Sequence, residues 1–105
     1  MALTDGEIIE RIIKTINKHL PHARIILFGS RASGRHTPRS DFDIAIDVGA
    51  PIPLSTMFRI REELDMLPTL KMFDLVDLNS VDERFRRHIM RSGKVLYDGR
   101  AERKA

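Results

Sequence analysis

Residues 25–48 read IILFGSRASGRHTPRSDFDIAIDV: an apolar run, a Gly-Ser pair, a polar loop and an alternating segment. Ile25 to Phe28 is a short continuous apolar run of the kind that forms a strand buried on both faces. Gly29 and Ser30 therefore stand at a strand's C-terminal edge. Ten residues separate Ser30 from Asp41. Beyond the loop, Phe42, Ile44, Ile46 and Val48 fall on one strand face and Asp41, Asp43, Ala45 and Asp47 on the other. Asp41 and Asp43 project from the same side, with Cα atoms about 6.5 to 7 Å apart by two residues of strand rise. Carboxylates at that separation can share one or two divalent cations.

Outward from this stretch the pattern is helix, strand, strand, helix, strand, helix, strand. Thr4-Asp5-Gly6-Glu7 fits a capping box, and Ile8, Ile9, Ile12, Ile13, Ile16 and Leu20 recur at helical spacing up to Pro21. Strands are expected at about 24–28, 41–48 and 71–78. A helix with Leu54, Met57, Ile60, Leu64 and Leu67 on its apolar stripe lies between the last two and stops before Pro68. Ser80-Val81-Asp82-Glu83 is a second capping box, opening a helix with Phe85 and Ile89 inward and Gly93 at its end. Val95-Leu96-Tyr97 supplies a last short strand. The fold class is α/β, a small sandwich with a mixed β-sheet packed with helices, whose core could be completed by a partner chain. Met57, Phe58, Met66, Met72 and Met90 are assigned to the core. Residues 1–99 form one domain and 100–105 a flexible tail.

Composition narrows the chemistry. A chain of 105 residues allows one core and one domain, with no room for a separate acceptor-binding domain. It has no cysteine, which excludes disulfides, thiolate metal sites and Cys nucleophiles and makes an intracellular, cytoplasmic location the default. No apolar stretch is long enough to span a membrane. Residues 1–70 hold nine Lys/Arg against nine Asp/Glu and residues 71–105 nine against six, so the excess of +3 lies in the last third. A single tyrosine and no tryptophan make base stacking a weak reading, so nucleic acid is a possible but not a favoured partner. Arg84, Arg86, Arg87 and Arg91 read first as a solvated helix face and second as a partner surface.

The acids and the loop suit phosphate chemistry. Nucleotidyl transfer holds an attacking hydroxyl, an α-phosphate and a leaving pyrophosphate in line while metal ions neutralise charge. Asp41 and Asp43 are suitable oxygen ligands. Asp74 and Asp77 are three apart on one strand and face opposite sides, so only one can join them. Asp74 shares parity with Met72, Val76 and Leu78, a lone acid on an apolar face that burial would force to find a partner. Asp77 reads as a surface or capping residue, Asp47 as a solvated strand-end charge, and His36 as a loop residue within reach of phosphate. Gly29 lets backbone approach a phosphate, Ser30 adds a hydroxyl and an amide, and Arg31, Arg35 and Arg39 add charge, with Arg31 nearest the turn. A Walker loop is excluded because its lysine is missing.

Gly29-Ser30, the spacer, Ser40-Asp41-Phe42-Asp43 and Phe73-Asp74-Leu75-Val76-Asp77-Leu78 resemble the DNA polymerase β-type nucleotidyltransferase superfamily. Within it the chain is similar to the minimal nucleotidyltransferase (MNT) group, whose members pair with HEPN-domain toxins. The capped first helix and the segment from Ile89 to Tyr97 extend the likeness over almost the whole chain.

The resemblance implies the polymerase β-type fold and transfer of AMP from ATP to a hydroxyl with Mg²⁺, two ions held by Asp41, Asp43 and Asp74. Asp74 would be the third ligand or the base. Gly29, Ser30, Arg31 and Ser40 would bind the nucleotide. It further implies a HEPN toxin as partner in a hetero-oligomer, with a tyrosine of the toxin as acceptor, so that the chain acts as an antitoxin. Two alternatives remain open from sequence: a catalytically silent antitoxin that acts by binding, and a basic nucleic-acid-binding module.

Overall fold

Thr4 opens the first helix through the expected reciprocal cap: its hydroxyl accepts from the Glu7 amide, and the Glu7 carboxylate accepts from the Thr4 amide. The computed structural model describes residues 2–100. In chain order the elements are α1 (Asp5–His19), β1 (Arg24–Phe28), α2 (Ser30–Ser33), β2 (Phe42–Asp47), α3 (Leu54–Asp65), β3 (Phe73–Asp77), α4 (Glu83–Ser92) and β4 (Lys94–Asp98). The one element absent from the sequence reading is α2, a single turn whose Ala32 and Ser33 amides donate to the Gly29 carbonyl. Of the expected tail, residues 101–105 lie outside the described residues; Arg100 pairs with Asp98 at 2.8 Å.

The four strands form one mixed sheet in the order β3-β2-β1-β4. β1 runs antiparallel to both β2 and β4, and β2 runs parallel to β3. The alternation of β2 divides the core as the sequence predicts. On the first face Ile25, Leu27, Phe42, Ile44, Ile46, Phe73 and Leu75 pack under Ile8, Ile12 and Ile16 of α1 and Ile60 and Leu64 of α3. On the second face Ile26, Phe28, Ala45, Val76 and Leu78 meet Phe85 and Ile89 of α4. Each such buried side chain contributes about 1.5 to 3 kcal/mol, so the first face supplies most of the hydrophobic stabilisation. Among the described residues α4 alone covers the second.

Several local expectations are corrected. The N-cap of α4 is Asp82, whose carboxylate accepts from the Phe85 amide, while Ser80 donates instead to Asp77. Gly93 does end α4, but with φ −78°, so no left-handed turn requires it. Close approach does: a Cβ there would lie 2.6 Å from Ile26 Cγ2. Of the residues assigned to the core, only Met57 packs against it. Phe58, Met66, Met72 and Met90 are exposed, because α3 buries one narrow stripe and Met72 precedes the edge strand β3. Asp47 is buried at 6% exposure rather than solvated. Its carboxylate accepts from Arg24, Asn79 and the Gly49 amide at 2.7–2.9 Å. Burial alone would raise its pKa, but these hydrogen bonds outweigh burial and hold it below the ordinary 3.8.

Candidate active site

The register across the sheet assembles the site. Asp43 of β2 stands beside Asp74 of β3 on one side and Phe28 of β1 on the other. Asp41 precedes β2 on the same parity as Asp43. Neighbouring strands lie about 4.8 Å apart, so Asp43 and Asp74 project side by side from the second face. Asp74 is exposed, not buried as the sequence suggested, because β3 is the edge strand and α4 covers Val76 and Leu78 without reaching it. Asp77 lies on the other parity. Its carboxylate accepts from the Ile52 and Asn79 amides and the Ser80 hydroxyl, the capping role read for it.

Charge at Asp43 is uncompensated. Burial first, then Asp74, then Asp41 push its carboxyl above the ordinary 3.8, and no basic side chain counters them. Among the described residues no three His, Cys, Asp or Glu side chains converge tightly enough to hold an ion between them in the arrangement seen. The donor chemistry nevertheless fits a divalent cation: an all-oxygen set on adjacent ladder positions, with repulsion that a cation would relieve. Rotation of the exposed Asp41 and Asp74 side chains is what convergence requires.

Gly29 closes the site from below. Its φ of 74° is costly for any residue with a Cβ, and a Cβ there would overlap the Asp43 carboxylate. Backbone and carboxylate are thus in direct apposition, which gives the Gly-Ser turn its place beside the acids. Gly29→Ala is expected to cost about 1–3 kcal/mol through backbone strain and to displace Asp43. Thermal melts and activity fall together in that case; a variant unchanged in both would show that the turn tolerates a side chain.

Arg31 is corrected. Only 6% exposed, its guanidinium donates twice to the Ser40 carbonyl, at 3.1 and 2.9 Å, and once to Asp5 at 2.8 Å. It also stacks 4.0 Å over the Phe42 ring. Phe42 belongs to the first face, so Arg31 points away from the acids and is not placed to grip a nucleotide there. Ser40 is likewise engaged within the loop, its hydroxyl accepting from the Thr37 amide. Ser30 is half-buried next to Gly29, and Arg35, His36 and Arg39 are exposed on the loop. What sequence reasoning missed is the apolar wall: Phe28, paired in register with Asp43, meets Phe85 edge to face at 5.8 Å. The parity of β1 carried that signal, but the pairing that brings it to Asp43 is not written in it.

Residues 10–102 match the family model described as polymerase beta, nucleotidyltransferase. The comparison with curated proteins finds no match. Among solved structures, a toxin-antitoxin crystallised with AMP-PNP is 26% identical, with 91% of this chain and 77% of that chain covered and a TM-score of 0.71. A variant of the toxin-antitoxin MntA-HpeT is 27% identical over 90% and 76%, again at 0.71. A tri-AMPylated Shewanella oneidensis HEPN toxin in complex with MNT antitoxin shares the fold at 23% identity, over 96% and 78%, with a TM-score of 0.69. Among the described residues no helix is long and apolar enough to cross a membrane.

Proposed function

This chain belongs to the polymerase beta nucleotidyltransferase family, and on that premise we propose that it transfers AMP from ATP to a hydroxyl of a HEPN-domain toxin, acting as the toxin's antitoxin in the cytoplasm. The observation that carries the reading is the uncompensated carboxylate pair, Asp43 and Asp74 side by side with Asp41 alongside. Support comes from the structural neighbour with AMP-PNP, which is itself a toxin-antitoxin.

The acceptor oxygen attacks the α-phosphorus. A new O–P bond forms as the bond from the α-phosphorus to the bridging oxygen breaks, and pyrophosphate leaves with that electron pair. The acceptor's proton passes to Asp74, whose exposure lets an incoming hydroxyl reach it. Asp41 and Asp43 would hold Mg²⁺, which would neutralise charge on the phosphate oxygens, leaving Asp74 as the base. Gly29 and Ser30 bind the outgoing phosphates, the glycine through its bare backbone. The acids sit at the edge of the sheet's second face, beyond α4, where a hydroxyl on another polypeptide can approach; that this hydroxyl is a tyrosine's is what the resemblance to the MNT group implies.

The test is intact-mass analysis of the neighbouring gene's product after incubation with this chain, ATP and Mg²⁺. A gain of one or more AMP units is expected, dependent on both ATP and the metal. An unchanged partner mass under saturating ATP and Mg²⁺ overturns the reading.

A further inference from the structure

The free edge of β3 is open at one residue. The Phe42 amide donates to the Met72 carbonyl and the Leu78 amide to the Ile46 carbonyl, so Met72, Asp74, Val76 and Leu78 turn their backbone toward β2 while Phe73, Leu75 and Asp77 turn theirs outward. Two of the three outward carbonyls are occupied. Arg61 of α3 donates to that of Phe73 at 3.2 Å, and the Ser80 amide donates to that of Asp77 at 3.0 Å. Of the three, only Leu75 has both its amide and its carbonyl without a partner among the described residues. The opposite edge of the sheet is blunted differently, by a register shift of β4 against Ile25 and Ile26 and by Lys94 at its start.

Beside the β3 edge the first face is apolar and unfilled. Leu54 and Phe58, one turn apart on α3, are 76% and 65% exposed. With Ile52, Met57, Arg61 and Leu75 they line a groove of about 310 Å³, where about 150 Å³ suffices for a benzene ring. Two charges stand at this edge without a counter-charge. Among the described residues Arg61 has no acidic partner, and Asp77, whose carboxylate accepts from two amides and a hydroxyl, has no basic one.

We propose that this edge pairs with the same edge of a second copy of the chain, two-fold and antiparallel, with Leu75 on the axis. The open groups select that register: facing residues of a hydrogen-bonded antiparallel pair exchange both N–H···O bonds, and Leu75 has one donor and one acceptor to give. A two-fold contact has to be self-complementary, and this one is. With Leu75 opposite Leu75, Phe73 of one copy faces Asp77 of the other. Arg61, held at the Phe73 carbonyl, then meets that carboxylate on the first face, once on each side of the axis. α3 of each copy flanks the axis, and Phe58 of each fills the groove of the other. The product is one continuous sheet of eight strands, four from each copy. On its second face Asp74 of each copy stands beside Val76 of the other, and both sets of acids open to the same side. One backbone pair, two ion pairs and an aromatic anchor from each copy make a modest contact, with a dissociation constant of about 1–100 μM.

The test is sedimentation velocity of the full chain from about 1 to 300 μM, a range that brackets this affinity. A monomer–dimer equilibrium is expected. F58E and R61E should each weaken the dimer by about ten-fold or more, whereas M66E, exposed at the end of α3 and away from the groove, should dimerise like wild type. Amide exchange at Leu75 should slow as wild type is concentrated and stay constant in F58E. A monomer at every concentration overturns the proposal, as does a dimer that F58E and R61E leave intact or that M66E weakens equally. Dimerisation with no change in Leu75 exchange overturns the strand register. If the chain stays monomeric and F58E instead abolishes capture of the toxin, the groove belongs to the toxin and the second copy is excluded. None of these measurements uses ATP, so the dimer stands or falls apart from AMP transfer.

Discussion

Asp43→Asn is expected to lower AMP transfer by about 10²–10³-fold or more while leaving the thermal midpoint at neutral pH unchanged or slightly higher. The two effects have one cause. Asp43 is held above its ordinary pKa by burial, then by Asp74 and Asp41, so its ionised form is disfavoured in the fold and is best relieved by a cation. An amide keeps the shape and loses the charge. The sign follows from linkage: a folded pKa raised above the unfolded 3.8 means that the group's contribution to stability is full below 3.8 and lost as pH rises through the folded value. The variant's advantage therefore appears above that window and shrinks as pH falls toward it. Melts of both proteins from pH 7 down to pH 4, with intact-mass transfer assays, check this. Undiminished transfer would remove Asp43 from the site, and a lower midpoint at pH 7 would make it a structural residue.

Arg31→Ala is expected to have the largest effect on stability, about 3 kcal/mol, or a midpoint lower by about 12–24 °C for a domain of this size. The guanidinium joins three parts of the chain: α2, on which it sits, the Ser40 carbonyl at the end of the loop, and Asp5 in the first turn of α1. Removing it leaves that carbonyl without its two donors and uncovers the Phe42 ring. Asp5 keeps its bond to Lys71 and is partly exposed, which limits the loss. Arg31→Lys should recover less than half, since an ammonium cannot reproduce the fork that meets Ser40 and Asp5 together. Calorimetry decides the magnitude. An unchanged midpoint with a selectively raised KM for ATP would instead support the nucleotide-gripping role that the sequence suggested.

Much of the fold was legible because its signals are local. Thr4 and Glu7 cap α1 as their spacing predicts, and the parity of β2 separates Asp43 from Phe42 and Ile44 as read. The position of Asp74 on the parity of Val76 was also legible, and the register sets it beside Asp43. Its exposure was not, since that depends on β3 being an edge strand and on where α4 crosses. The exposed Phe58, Met66, Met72 and Met90 show the same limit: apolar character does not say how much of a helix or strand a neighbour will cover.

By itself the sequence determined every element but the single turn α2, their order and the face on which each strand residue lies, because helix and strand periods and caps act over three or four residues. Only the tertiary structure decided which charges are buried and which are available. Arg31 is spent on Asp5, and Asp47 on Arg24 and Asn79, partners far off in sequence that periodicity cannot see. A buried charge is stable only with its partner in place, so the pairing settles its role. Asp43, between Asp74 and Phe28 in the sheet, keeps its charge uncompensated because none of these partners reaches it.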